Sequence, residues 1–323
     1  MKKIMHYKDI KPRMDMSRFA EVKGYDFEKE FDFSKFLSSY STTGFQATAV
    51  SQAIAVINLM RKEKATIFFA YTSNMVSSGI REIIKYLVKN KMVDVLVTSA
   101  GGIEEDIMKC LRPFHIGSFD IPGKYLLERG VHRTGNLLVP TDCYTYLEEF
   151  MEQVFKNLEG KTVCTTELIM EMGKLVNDES SILYWANKNN IPVFCPGITD
   201  GSIGDLIFFE KQRNSKFVLD VAEDMTRIVK IVLDSQKTGA IILGGGIAKH
   251  FTLNANVFRD GFDYAVYVNT AQEFDGSDSG ARVDEAITWA KVKPNAPNAK
   301  VFADATIVFP LIVAGSFAKT DAK

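Results

Sequence analysis

GAIILGGGIAKHFTLNANVF, residues 239–258, passes from an apolar run through three glycines into a segment of helical periodicity. An apolar run closed by glycine reads as a buried strand, and the periodic segment after it as a helix. The same unit recurs along the chain. ATIFFAYT (65–72) leads into SNMVSSGIREIIKYLVKN, and VDVLVTS (93–99) into AGG and the helical EEDIMKCL. IPVFCPG (191–197) runs into TDGSIGD, DYAVYVNT (263–270) into an acidic stretch, and KVFADA (300–305) into IVFPLIVAGSFAK. Strands that alternate with helices and are apolar on both faces imply a parallel sheet covered on each side. The expected fold is therefore α/β, a Rossmann-like, mostly parallel sheet with helices on both faces.

TTGFQATAVSQAIAVINLM reads as a turn followed by an amphipathic helix, whereas the residues before it are charged and only loosely periodic. Residues 1–44 are thus expected to form a helical extension, and residues 45–323 the main domain. Of the 323 residues, 46% are hydrophobic and 24% charged, the balance of an ordinary globular protein. A net charge of -1 argues against general affinity for nucleic acid or an anionic membrane. Cys110, Cys143, Cys164 and Cys195 are scattered, without zinc-ligand spacing, and are expected as reduced, mostly buried thiols. MKKIMHYKDIKPRMDM lacks the apolar core of a signal peptide, and no apolar run approaches the roughly 20 residues of a membrane helix. A cytoplasmic protein without a metal is the expectation.

The predicted strand ends carry Thr72-Ser73-Asn74, Ser99-Ala100-Gly101-Gly102, Thr199-Asp200-Gly201, Gly244-Gly245-Gly246, Thr270-Ala271 and Ala303-Asp304-Ala305. In an open parallel sheet, ligands bind outside the carboxyl ends of the strands, where helix N-termini also point. Small residues there let a backbone approach a phosphate, and an Asp can hold a ribose hydroxyl. A dinucleotide suits this set, although no GxGxxG is present and βα turns favour such residues in any case.

EFDGSDSGARVDEAITWAKVKP (273–294) places five carboxylates ahead of Trp289 and Lys291. Gly276, Ser277, Ser279 and Gly280 interleave them, which favours a shaped loop over a repelling tail. Lys291 is either a surface lysine complementing a helix C-terminus or a nucleophilic amine beside a bound cation. Trp289 could wall that amine off from water and attract an ammonium through its ring. Positions two apart diverge on an ideal helix, so both line one pocket only if the helix ends near Trp289. His250, in the first turn of a helix starting near Ile247, is either a packing residue or a general base. Glu104, Glu105 and Asp205 at neighbouring strand ends would bring carboxylates from three places to one crevice, which suits a polyamine.

From KGYDF (23–27) to the C-terminus the chain closely resembles deoxyhypusine synthases. The resemblance rests on YTSNMVSSGIRE, VDVLVTSAGGIEED, PVFCPGITDGSIGD, ILGGGIAKH, YAVYVNTAQEFDGSDSGARVDEA and WAK, in that order. It implies an NAD-dependent transferase working as a homotetramer with sites shared across a subunit interface. Spermidine is oxidised at its secondary amine, and an active-site lysine captures the four-carbon fragment as an imine, releasing 1,3-diaminopropane. The fragment then passes to one lysine of a hypusine-type translation factor. A second reading keeps this half-reaction but passes the fragment to a small amine such as putrescine, as in homospermidine synthesis. A third is a non-catalytic NAD-binding protein, whose sign would be loss of the Lys-His pair.

The resemblance places Lys291 at the nucleophile position and His250 at the histidine that contacts spermidine. It assigns Glu104, Glu105, Asp205, Asn254, Tyr267, Gly276, Ser277, Asp278, Glu285 and Trp289 to the polyamine. It assigns Ser73, Asn74, Ser77, Ser99, Ala100, Gly101, Glu105, Asp200, Gly245, Thr270, Ala271, Asp275, Asp304 and Ala305 to NAD. Residues 45–323 are then the NAD- and spermidine-binding domain, and residues 1–44 pack on or cover the active-site entrance. Family members often carry a second His where Phe251 stands, with little effect expected because neighbouring helical residues face apart. The arm Met1 to Val22 matches less clearly.

Overall fold

The computed structural model describes residues 14–318, so the first thirteen residues of the N-terminal arm lie outside the described part. Six strands form the central sheet: β1 (Thr66–Tyr71), β2 (Val95–Thr98), β3 (Val193–Phe194), β4 (Thr238–Leu243), β5 (Tyr264–Asn269) and β6 (Asn298–Phe302). Every pairing is parallel, and the order across the sheet is β3-β2-β1-β4-β5-β6. This is the strand order of doubly wound dinucleotide-binding folds, in which the winding reverses between β1 and β4.

The apolar runs follow from burial on both faces. Along β1, Ile67, Phe69 and Tyr71 enter one core with the helices Phe45–Lys62 and Ala305–Ser316. Phe68 and Ala70 point the other way, into a second core with the helices Val221–Asp234 and Gly246–Ala255. Successive side chains of a strand face opposite sides, so a sheet covered twice needs apolar residues at both parities. Cys143, Cys164 and Cys195 are buried and Cys110 half-buried, all as free thiols.

Two small sheets escape the apolar pattern. His115–Ile116, Val131–Thr134 and Leu137–Pro140 make an antiparallel sheet whose first two strands are largely exposed, and Thr162–Cys164 pairs with Val218–Asp220. Ahead of the domain, the helix Phe33–Thr43, capped by Asp32, packs on the helix Phe45–Lys62.

One buried ion pair ties the β2 side together. Asp106, fully buried on the helix Ala100–Leu111, accepts from Arg81 Nε at 2.7 Å and Ser181 Oγ at 2.6 Å. It also accepts from Ile182 N–H and Leu183 N–H at 3.0 Å each, capping the helix Ile182–Asn189. Removing one partner of a buried pair leaves the other charge without compensation. Asp106→Ala is expected to cost about 3–5 kcal/mol in denaturant unfolding; a loss under about 1 kcal/mol would show that Arg81 finds other partners.

Candidate active site

The helix Val283–Thr288 ends with Trp289 as its cap. Ala290 N–H donates to Ile287 O and Lys291 N–H to Ala286 O, each at 3.0 Å, and Ala290 has φ +54°. These are the two hydrogen bonds of a Schellman helix end, with a left-handed residue just past the cap. The sharp turn lets Trp289 and Lys291 line the same cleft, as the early helix end requires. Lys291 is only 9% exposed, and its Nζ lies 3.3 Å from His250 Nε2 and 5.9 Å from the Trp289 ring centre. The dry wall expected at Trp289 is absent from the single chain, where the indole is 65% exposed. With its helix starting at Gly246, His250 is the fifth helical residue, not a first-turn one. The influence of the helix terminus has largely faded there. Phe251 faces elsewhere, its ring 6.3 Å from that of Phe194.

The cleft holds about 930 Å³ and is lined by Lys249, His250, Asn254, Gly276, Asp278, Arg282, Glu285, Trp289 and Lys291, among others. Asp278 presents a buried Oδ2 that has no hydrogen-bond partner. A carboxylate oxygen left bare in this way fits a cationic ligand. Asp284 and Glu285 sit in the first turn of their helix, where negative charge complements the dipole. Ser277 is exposed, and its N–H donates to Asp275 Oδ1 at 2.8 Å within the loop. Tyr267 does not line the cleft: its ring is fully buried in the sheet core and its hydroxyl has no partner.

Lys249 is the residue that pattern reading passed over. It is 1% exposed, and its Nζ donates to Ala281 O at 3.2 Å and to Asp278 O, 4.8 Å from the Tyr267 ring centre. Burial pulls its pKa down to about 8. In the sequence it looks like any helical lysine beside a histidine.

A second cavity, about 630 Å³, opens at the carboxyl ends of β1, β4, β5 and β6. Asn74, Gly245, Thr270, Ala271, Asp304 and Ala305 of the expected NAD set line it, together with Thr72 and Gly244. A Cβ on Gly244 would stand 2.5 Å from Thr72 Oγ1, which narrows the gap at the winding reversal to what glycine allows. Asn269, not anticipated, donates its Nδ2 to Gly244 O at 3.3 Å and leaves Oδ1 buried, unpartnered and at the cavity. That oxygen, the small-residue turns and the Asp304 carboxylate fit a nucleotide with hydroxyl and amide donors. Asp304 meanwhile caps its own helix through Thr306 N–H at 2.7 Å.

Ser73, Ser77, Ser99, Ala100, Gly101 and Glu105 cluster beside this cavity, at the ends of β1 and β2. A Cβ on Gly101 would lie 2.8 Å from Ser73 Cβ, and Ser77 Oγ donates to Glu105. Asp200 is exposed beyond β3, and Asp275 lies on the acidic loop, not at the cavity lining. The expected convergence of three carboxylate groups does not occur within one chain. Glu104, 8% exposed, accepts from Ile203 N–H at 3.0 Å and serves the helix Ser202–Arg213; Asp205 is exposed on that helix. Neither these two nor Glu105 lines the Lys291 cleft.

Burial, with Glu104 as a like-charged neighbour, pushes the Glu105 carboxyl up to about 7. In the unfolded chain it ionises near its ordinary value of 4.5, so its cost to stability appears as pH rises from about 4.5 through 7. Glu105→Gln is expected to raise Tm by a few degrees at pH 8 and by less at pH 5. An equal rise at both pH values would remove this carboxyl as the cause.

A protein-family model for deoxyhypusine synthase matches residues 35–316. Deoxyhypusine synthase of Musa acuminata is 47% identical over 338 residues, covering 95% of this chain and 90% of the relative. That of Caenorhabditis elegans is 46% identical, covering 92% and 90%. A crystal structure described as "a putative deoxyhypusine synthase from Entamoeba histolytica" superposes with a TM-score of 0.64 at 33% identity, covering 94% of this chain and all of that one. The chain belongs to the deoxyhypusine synthase family.

Proposed function

We propose that the cleft around Lys291 is where this chain carries out the family reaction, with Lys291 as imine-forming nucleophile and His250 as proton acceptor. The protein is an NAD-dependent transferase that moves the aminobutyl group of spermidine to a lysine of a hypusine-type translation factor and releases 1,3-diaminopropane. One observation carries the site assignment: an amine and an imidazole 3.3 Å apart in a cleft that also holds Asp278 and Glu285.

Spermidine carries about three positive charges at neutral pH, and taking them out of water needs compensating anions. Asp278 and Glu285 supply them, and the Trp289 ring attracts an ammonium over its face. His250 Nε2 takes the proton released when the secondary amine is oxidised. Asn74, Thr270, Ala271 and Asp304 at the second cavity would hold NAD, which would supply the two-electron oxidant and, once reduced, the final reductant. Lys291 Nζ then adds to the oxidised carbon, 1,3-diaminopropane leaves, and the four-carbon fragment stays on the enzyme as an imine. The translation-factor lysine displaces Lys291 at the same carbon, and the reduced product is deoxyhypusine.

The family works as a homotetramer with sites at subunit interfaces. An indole exposed in the single chain, and carboxylates at β2 and β3 outside the Lys291 cleft, suit a site completed by a second copy. Among the described residues no helix is long and apolar enough to cross a membrane. Together with the reaction on a translation factor, this favours a cytoplasmic location. Residues 1–44 are assigned to an extension that packs on the domain or covers the site entrance; its described helix, Phe33–Thr43, packs on the helix Phe45–Lys62.

Incubation with NAD and butyl-labelled spermidine, then borohydride, should place label on Lys291, and the label should chase into the translation factor. A labelled adduct in Lys291→Arg would remove Lys291 from this role, and release only to putrescine would point to a small-amine acceptor. Asp278→Ala should raise KM for spermidine about tenfold or more, the loss of a charge-assisted contact, with NAD binding unchanged. His250→Ala should lower kcat about 100-fold at saturating spermidine; unchanged turnover would make His250 a packing residue.

A further inference from the structure

Ala290 joins the helix Val283–Thr288 to Lys291, and it does so at φ +54°. Left-handed backbone crowds Cβ against the following carbonyl and is disfavoured for a residue other than glycine. Helix ends of this kind usually carry glycine at this position. Here an exposed alanine holds the conformation, directly before the reactive amine.

The chain beyond is fixed from both sides. Lys291 N–H is held by Ala286 O, and Lys291 O accepts from Phe262 N–H at 3.0 Å. Lys293 N–H donates to Phe262 O at 3.0 Å, and Phe262 and Val292 form a parallel bridge. Gly261, at φ +97°, presses on this segment: a Cβ there would lie 2.7 Å from Val292 N and 2.9 Å from Lys291 C. Were the helix to continue, residue 291 would point about 200° round from residue 289, away from His250. The left-handed residue is what turns both side chains into one cleft.

We propose that Ala290 is a positioning residue for the reaction: its left-handed conformation aims the Lys291 amine at His250 and the oxidised substrate, with Gly261 as the seat of the turn. This rests on the reading of Lys291 as imine-forming amine. Ala290 touches no substrate in this account; it acts through the residue that follows it.

Spermidine oxidation precedes capture by Lys291, so a misaimed amine should separate the two steps. Ala290→Val places a β-branched residue where left-handed backbone is most strained; Ala290→Gly relaxes the same position. NADH formation and borohydride-trapped label on Lys291 are measured side by side, with circular dichroism as the check on folding. In Ala290→Val, trapped label per NADH formed should fall about tenfold or more, since an ångström of misplacement can cost that much. NADH formation itself should stay within about threefold. Ala290→Gly should trap label at the wild-type ratio, and Gly261→Ala should reproduce the split from the opposite side. An unchanged ratio in both Ala290→Val and Gly261→Ala, or a parallel fall of both signals, would overturn the proposal. Lys291→Ala is the control: an adduct there overturns the reading of Lys291, whereas its loss beside a normal Ala290→Val overturns only the role of Ala290.

Discussion

The loop at residues 276–282 is held against the glycine turn after β4, and the Lys291 cleft takes part of its lining from that loop. Lys249 donates to the carbonyls of Asp278 and Ala281, Lys300 donates to that of Gly280, and Gly246 N–H donates to Ser279 Oγ at 2.8 Å. Such an approach requires residues without side chains. A Cβ on Gly245 would stand 2.5 Å from Ser279, and one on Gly280 would stand 1.7 Å from Gln272 O. The loop thereby becomes one wall of the Lys291 cleft, with its anchor at Gly245 beside the strand-end cavity. With Lys249 and Lys300 spent on backbone carbonyls, the Asp278 carboxylate keeps one oxygen without a protein partner.

Each cavity keeps one polar oxygen without a partner: Asp278 Oδ2 in the cleft and Asn269 Oδ1 at the strand ends. Buried acceptors are normally satisfied, so such exceptions mark where a donor is to arrive. Glu105 is costly in a different way: it accepts from Ser77, yet burial beside Glu104 pushes its carboxyl up to about 7. By contrast, the most apolar cavity, about 860 Å³ at the β3 edge, has no carboxylate in its lining and offers nothing to a polycation. What the Lys291 cleft has and that cavity lacks is a pair of carboxylates beside a lysine and a histidine.

The sheet was readable because its physics is local. Strands buried on both faces must be apolar at every position, so ATIFFAYT and GAIILGG stand out against the helices between them. The antiparallel strands between residues 115 and 140 carry polar and apolar residues without clear alternation, and no periodicity betrays them. At the site, Lys291, His250, Trp289, Asp278 and Glu285 were identifiable because each stands in a short stretch that resembles the family. Lys249 and Asn269 were not, since their importance lies in what surrounds them: carbonyls at the end of a buried chain, and an acceptor with no donor.

By itself the sequence determined the alternation of strands and helices, the small residues at strand ends, and the acidic loop followed by an amine. These follow from composition over a few neighbouring positions. Only the tertiary structure decided the strand order, with its reversal between β1 and β4, because pairing partners lie far apart in the chain. It also decided that Trp289 and Lys291 share a cleft, through a left-handed Ala290 flanked by hydrogen bonds that fix the chain on both sides. And it kept Glu104, Glu105 and Asp205 out of that cleft, since nearness to a strand end does not fix which cavity a side chain reaches.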